Sequence, residues 1–221
     1  MMIINPSICG IFFPWILWKG PQDSNGVYAT FDDGPHPEYT LPVLEILREH
    51  EIPAAFFLTG QKVALHPGLA DEIRRNGHVI GNHGFSHSPM AFREKEWILR
   101  EIIGTHEAIT RAIGRPYPLR LFRPPYGRFD PRFRRILEGL GYRMVLWSLL
   151  SGDFSENSAE QLIRKVDDHI HPGAVIVFHD GHSHGPVLIQ ALPRILRRIR
   201  DRGFQFRSLP DPIFGPSGGG A

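Results

Sequence analysis

The chain has 221 residues, 25 of them Lys or Arg and 23 Asp or Glu, so its formal net charge is +2 with histidines neutral. That balance makes no electrostatic case for a nucleic-acid partner, and the length suits one domain with a substantial core. A single cysteine, Cys9, excludes an intrachain disulfide and a multi-cysteine zinc site, whereas 12 histidines direct attention to metal or acid–base chemistry.

Met2 to Trp18 is largely apolar and uncharged, with Pro6 and Pro14 inside it. It lacks the basic leader and small-residue cleavage site of a signal peptide, and no clear membrane span is read there, since a span needs about 20 apolar residues. Residues 1–26 are expected to form an apolar extension packed on the fold. A membrane-surface position is the alternative, because Phe12, Phe13, Trp15 and Trp18 would suit an interface. Neither a cytoplasmic nor a cell-envelope location is favoured.

From Val27 onward, apolar β-rich runs alternate with helical patterns. Strands are expected at 27–31, 54–59, 78–82, 120–122, 143–147, 174–178 and 204–209. Helices are expected near 40–50, 66–76, 93–113, 130–139, 158–169 and 187–202. Thr40 is the expected N-cap of the first helix, and Gly77 and Gly114 are expected to end the second and third. The arginines from Arg194 to Arg202 have the spacing of a solvated helix face. The domain is expected to span 27–210, with 211–221 a flexible tail. This alternation implies an α/β fold with a parallel sheet, either a TIM-barrel-like closed or nearly closed barrel of about seven units or an open doubly wound sheet. Either way, functional groups should gather at the C-terminal ends of the strands.

They do so on paper. Asp32 and Asp33 follow the first strand, His83 and His87 the third, Arg123 and Tyr126 the fourth, Asp153 the fifth, and His179 the sixth. Two imidazoles and a carboxylate leave open positions on a divalent metal, as catalysis requires, so Asp33, His83 and His87 are the expected ligands. Zinc is the default ion, with cobalt or nickel also compatible with these ligand types. Such an ion lowers the pKa of bound water toward ~7. Asp32 is then the natural general base, His179 the natural acid, and Arg123 the cation that keeps Asp32 charged and aimed.

These stretches carry a resemblance. Thr30-Phe31-Asp32-Asp33-Gly34-Pro35, His83 to His87, Arg123-Pro124-Pro125-Tyr126 and Phe178-His179 are similar, in order and spacing, to motifs of the polysaccharide deacetylase family, also called the NodB homology domain or carbohydrate esterase family 4. The likeness runs from about Val27 to Leu209. It implies a distorted (β/α)7 barrel and metal-dependent removal of N-acetyl groups from amino-sugar glycans (chitooligosaccharide, peptidoglycan or a related polymer), with release of acetate. It also implies that the Tyr126 backbone N–H helps bind the oxyanion. The family's fourth motif, Asp, two residues, then Asp-Trp, departs here to Leu150-Ser151-Gly152-Asp153-Phe154. Leu150 stands where an acid normally braces the arginine, and the retained Asp153 is expected to brace Arg123 or His179. Two alternatives accompany this reading: an amide, imide or O-acetyl ester hydrolase on the same scaffold, and a non-catalytic glycan-binding relative.

Overall fold

The computed structural model describes residues 10–209 apart from 23, 119, 156–157 and 182. The start of the N-terminal extension and the expected tail at 211–221 lie outside the described residues. In chain order the elements are β1 (Gly26–Asp32), α1 (Thr40–Glu49), β2 (Ala54–Leu58), α2 (Gly60–Leu65), α3 (Pro67–Arg75), β3 (Val79–Asn82), α4 (Lys95–Ile113) and β4 (Leu121–Phe122). They continue with α5 (Arg132–Gly139), β5 (Arg143–Met144), β6 (Leu149–Leu150), α6 (Ala159–His169), β7 (Val175–His179), α7 (Gly185–Asp201) and β8 (Gln205–Phe206).

All strand pairs among the described residues are parallel, in the order β5-β4-β3-β2-β1-β7-β6, with β8 added to the start of β1. The two edge strands come from one stretch of chain. β5 pairs with β4, β6 pairs with β7, and only residues 145–148 separate them. The sheet must therefore curl until its edges meet along that stretch, which gives a barrel-like single domain rather than an open doubly wound sheet. Leu17 caps the seam: its N–H donates to Met144 O (3.0 Å) and its carbonyl accepts from Leu146 N (2.8 Å).

β1 lies at the centre and is buried on both faces. Its alternation sorts the core into layers. Val27, Ala29 and Phe31 face outward into the layer shared with α1, α6 and α7, where Phe31 stacks on Phe56 and Phe178 at 4.9 and 5.5 Å. Tyr28 faces the interior, packed with Ala55, Phe57, Val145 and Val175. Thr30 and Asp32 share that inward phase, so the strand delivers Asp32 to the barrel's interior mouth.

Four expectations need correction. The strand expected at 143–147 is only Arg143–Met144, and a further short strand, Leu149–Leu150, follows it, because the chain crosses between them from one sheet edge to the other. A helix, α2, precedes the one expected near 66–76; it is one short stretch without a full amphipathic period, and Pro67 opens the next helix. The last strand is only Gln205–Phe206. Thr40 is the first residue of α1 rather than its cap, since its hydroxyl is used elsewhere: it accepts from His36 N (2.8 Å) and donates to the Asp180 carboxylate. The arginine face of α7 is solvent-exposed and pairs with α6, Arg194 with Glu160 and Arg198 and Arg202 with Asp167.

Candidate active site

Asp32 and Asp33 end β1 and part company there. Asp32 is 3% exposed and its Oδ1 accepts from Arg123 Nη1 at 2.6 Å. Arg123, which follows β4, is wholly buried. Burial of a guanidinium without compensation would cost several kcal/mol, and here every nitrogen is used. Nη1 also donates to Thr30 Oγ1 (2.9 Å), Nε to Val145 O (3.1 Å) and Nη2 to Leu146 O (3.1 Å), while the Phe57 ring lies 4.0 Å from the guanidinium carbon. Burial lowers the Arg123 pKa, and Asp32 works against that. The brace expected from an acid at Leu150 is thus supplied by a hydroxyl and two carbonyls. Thr30 is itself fixed, donating to Ile176 O at 2.7 Å.

Asp33 adopts a left-handed backbone, φ 70°, as do His87 (57°) and Tyr126 (60°). Left-handed non-glycine residues carry backbone strain and often mark sites where geometry is imposed. Asp33 Oδ1 lies 2.8 Å from His87 Nε2 and 3.3 Å from His83 Nε2. His83 Nδ1 is 2.8 Å from Arg123 O, and a carbonyl only accepts, so Nδ1 carries the proton and Nε2 presents its lone pair toward Asp33.

The three groups fit a cation. Their candidate ligand atoms all lie within 4.8 Å of one another. Among the described residues, buried Asp33 Oδ1 accepts no hydrogen bond despite the short distances to both rings. One oxygen and two imidazole nitrogens facing a common point are the donor set of a catalytic divalent site.

Across the mouth, His179 ends β7. Its Nδ1 lies 2.9 Å from Asp153 Oδ1, and its backbone N–H donates to Asp153 Oδ2 at 2.6 Å. Ser151 Oγ also donates to Asp153 Oδ1, at 2.8 Å. Asp153 therefore braces His179, not Arg123, and follows β6 rather than the expected fifth strand. Burial drives the His179 pKa down, but the Asp153 hydrogen bond and the charges of Asp153, Asp32 and Asp33 push it up to about 9. Phe154 packs edge-on to the His179 ring at 5.4 Å, so an aromatic wall survives the departure from Trp. Tyr126 sits in a short 3₁₀ turn, Pro125–Gly127, with its ring 4.8 Å from that of His87. Gly127 and Arg128 donate to Pro124 O and Pro125 O, whereas the Tyr126 N–H has no acceptor among the described residues.

All eight predicted side chains or backbone groups thus lie around one barrel mouth, in two sets. Three supporting residues were not anticipated. Thr30 holds Arg123. Glu101, buried on α4, accepts from Phe85 N (2.9 Å), Ser86 N (2.8 Å) and Ser86 Oγ (3.0 Å), which shapes the loop between the two histidines. Lys62, on α2, reaches the Asp33 carbonyl. Glu101 had a readable signal: it falls on the same face as Ile98, Ile102, Thr105 and Ile109, where an acid needs a partner.

Residues 19–145 match the family model described as polysaccharide deacetylase. A chitooligosaccharide deacetylase of Azorhizobium caulinodans is 32% identical over 200 residues, 86% of this chain and 95% of that protein. The crystal structure of a peptidoglycan N-acetylglucosamine deacetylase, Bc1960, in complex with a naphthalenyl N-oxidanyl-benzamide superimposes with a TM-score of 0.84 at 32% identity, covering 89% of this chain and 91% of that one. A mutant of a family pseudoenzyme, BA3943, with restored activity superimposes with a TM-score of 0.82 at 26% identity, covering 90% and 71%.

Proposed function

The chain belongs to the polysaccharide deacetylase family, and from that premise we propose that it is a metal-dependent hydrolase that removes N-acetyl groups from amino-sugar glycans and releases acetate. The observation that carries this reading is the convergence of Asp33, His83 and His87 beside a carboxylate, Asp32, whose second oxygen takes no part in the Arg123 pair. Relatives described as chitooligosaccharide and peptidoglycan deacetylases support the substrate class.

Asp33, His83 and His87 would hold the divalent ion, with zinc the expected one. When bound, the ion supplies Lewis-acid chemistry, activating water and polarising an amide carbonyl. Asp32 takes the proton of the attacking water through Oδ2, while Arg123 keeps Oδ1 occupied and the carboxylate ionised. The Tyr126 N–H donates to the developing oxyanion, an interaction whose removal in such sites costs about 3–4 kcal/mol. His179, protonated at neutral pH and held at Nδ1 by Asp153, delivers the Nε2 proton to the departing nitrogen. A C–O bond forms, the amide C–N bond breaks, and acetate and the free amine leave.

The test is acetate release from N-acetylated chitooligosaccharides and from peptidoglycan fragments, before and after chelation and after zinc is restored. Release that stops on chelation and returns with zinc is the expected result. Zinc binding and glycan binding without any acetate release would favour the glycan-binding alternative.

A further inference from the structure

We propose that Lys62 is a positioning residue that holds the Asp33 turn in its ligating conformation and so sets how tightly the Asp33–His83–His87 cluster takes a divalent cation; this rests on the metal reading above. The short helix α2 stands where three rim loops meet, and its opening N–H groups, which a helix start leaves free, are spent on those loops. Thr59 N donates to Gly34 O, Gly60 N to Gly84 O and Gln61 N to Phe85 O, each at 3.0 Å. One turn of chain thus ties the loop carrying Asp33 to the loop carrying His83 and His87.

Lys62 completes the tie. Its Nζ donates to Asp33 O and to Gly181 O, both at 2.8 Å. The first bond pins the carbonyl of a residue whose left-handed backbone is unfavourable by itself. The second joins that residue to the chain just beyond His179 and Asp180. The loops touch so closely that a Cβ added at Gly181 would lie 2.1 Å from Asp33 O, and one at Gly34 would lie 2.5 Å from Asp180 Oδ1. Asp180, fully buried, grips the turn from below by accepting from Thr40 Oγ1, which in turn accepts from His36 N. An ammonium suits the task because a compact, three-donor head can serve two carbonyls at once.

The sign of the effect separates positioning from simple charge. Lys62 is a cation near a cation site, so on Coulomb grounds alone its removal would tighten metal binding. Positioning predicts the opposite. Zinc affinity is measured by competition with a chromophoric chelator for wild type, Lys62→Met and Lys62→Arg, alongside Tm and near-UV circular dichroism of the metal-free proteins. We expect Lys62→Met to bind zinc about 10–100-fold more weakly, the range typical for residues that orient metal ligands. The metal-free Tm should move by only a few degrees, and Lys62→Arg should fall between the two. If Lys62→Met does not fold, Lys62→Arg alone should still show weaker binding. Unchanged or tighter binding overturns the inference, as does weaker binding accompanied by loss of the metal-free near-UV spectrum. Wild-type protein that bound no zinc would sink the metal reading and this inference together; normal wild-type binding with an unchanged variant would sink this inference alone.

Discussion

Asp32 and Asp33 are joined by one peptide bond and stabilised in opposite ways. Asp32 belongs to a strand, points inward and is neutralised by a buried guanidinium that is itself fully hydrogen-bonded. Asp33 begins a loop, has a left-handed backbone and faces two imidazoles with an oxygen that accepts no hydrogen bond among the described residues. The half proposed to handle protons, Asp32–Arg123 and His179–Asp153, closes its own polar bonds. The half proposed to hold the ion, Asp33–His83–His87, is held from outside by α2, Glu101 and Arg123 O. A group that moves protons needs a fixed direction, and a group that takes an ion needs lone pairs left over.

Breaking the proton-handling half should produce the largest effects. Asp32→Asn is expected to lower kcat by about 10²–10⁴-fold, the usual worth of a general base, with zinc affinity nearly unchanged. Steady-state kinetics and a zinc titration on the same preparation check this. Arg123→Met leaves a buried carboxylate unpaired and should destabilise the fold by about 3–5 kcal/mol in urea denaturation. Combining it with Asp32→Asn should recover part of that loss, and strict additivity of the two changes would contradict the pairing.

The His179 arm sharpens the comparison through pH. Because His179 is held protonated up to about 9, activity should persist through neutrality and fall as pH rises past that value. Asp153→Asn removes the main raising influence, so the alkaline limb should move down toward the ordinary histidine value near 6.5. A kcat/KM profile that kept its alkaline limb in the variant would remove Asp153 from this role.

The ligand half should respond in metal affinity and little in metal-free stability. Glu101→Gln, which weakens the acceptor for the Phe85 and Ser86 N–H groups, should cost about tenfold in zinc affinity. A chelator competition showing no change would mean the histidine loop holds itself.

This division also explains what could be read before the fold was known. Asp32, Arg123 and His179 are legible because strand ends and motif order locate them, and β1, β2 and β7 are continuous apolar runs whose positions follow from composition. Two features of the chain's path escaped, each for a local reason. α2 is too short to display a helical period and opens on a glycine. The 143–147 stretch looks like one strand, and Leu149–Leu150 goes unread, because the crossing between two sheet edges leaves no mark on apolar content. Partner choice escaped too. Asp153 had two candidate partners, and only the backbone path through Ser151 and Gly152 brings its carboxylate to His179. Lys62 gave no signal, since a lysine that binds two loop carbonyls looks, in sequence, like any lysine on a helix.

In the proposed site, Asp33, His83 and His87 take one divalent ion while Asp32 stays off it and free to accept a proton. An anomalous difference map from zinc-loaded crystals tests this most directly. The expected map has one peak at about 2.0–2.2 Å from an Asp33 oxygen and from the Nε2 atoms of His83 and His87, with Asp32 still paired to Arg123. No peak at those three residues, or one ligated by Asp32 in place of Asp33, would contradict it.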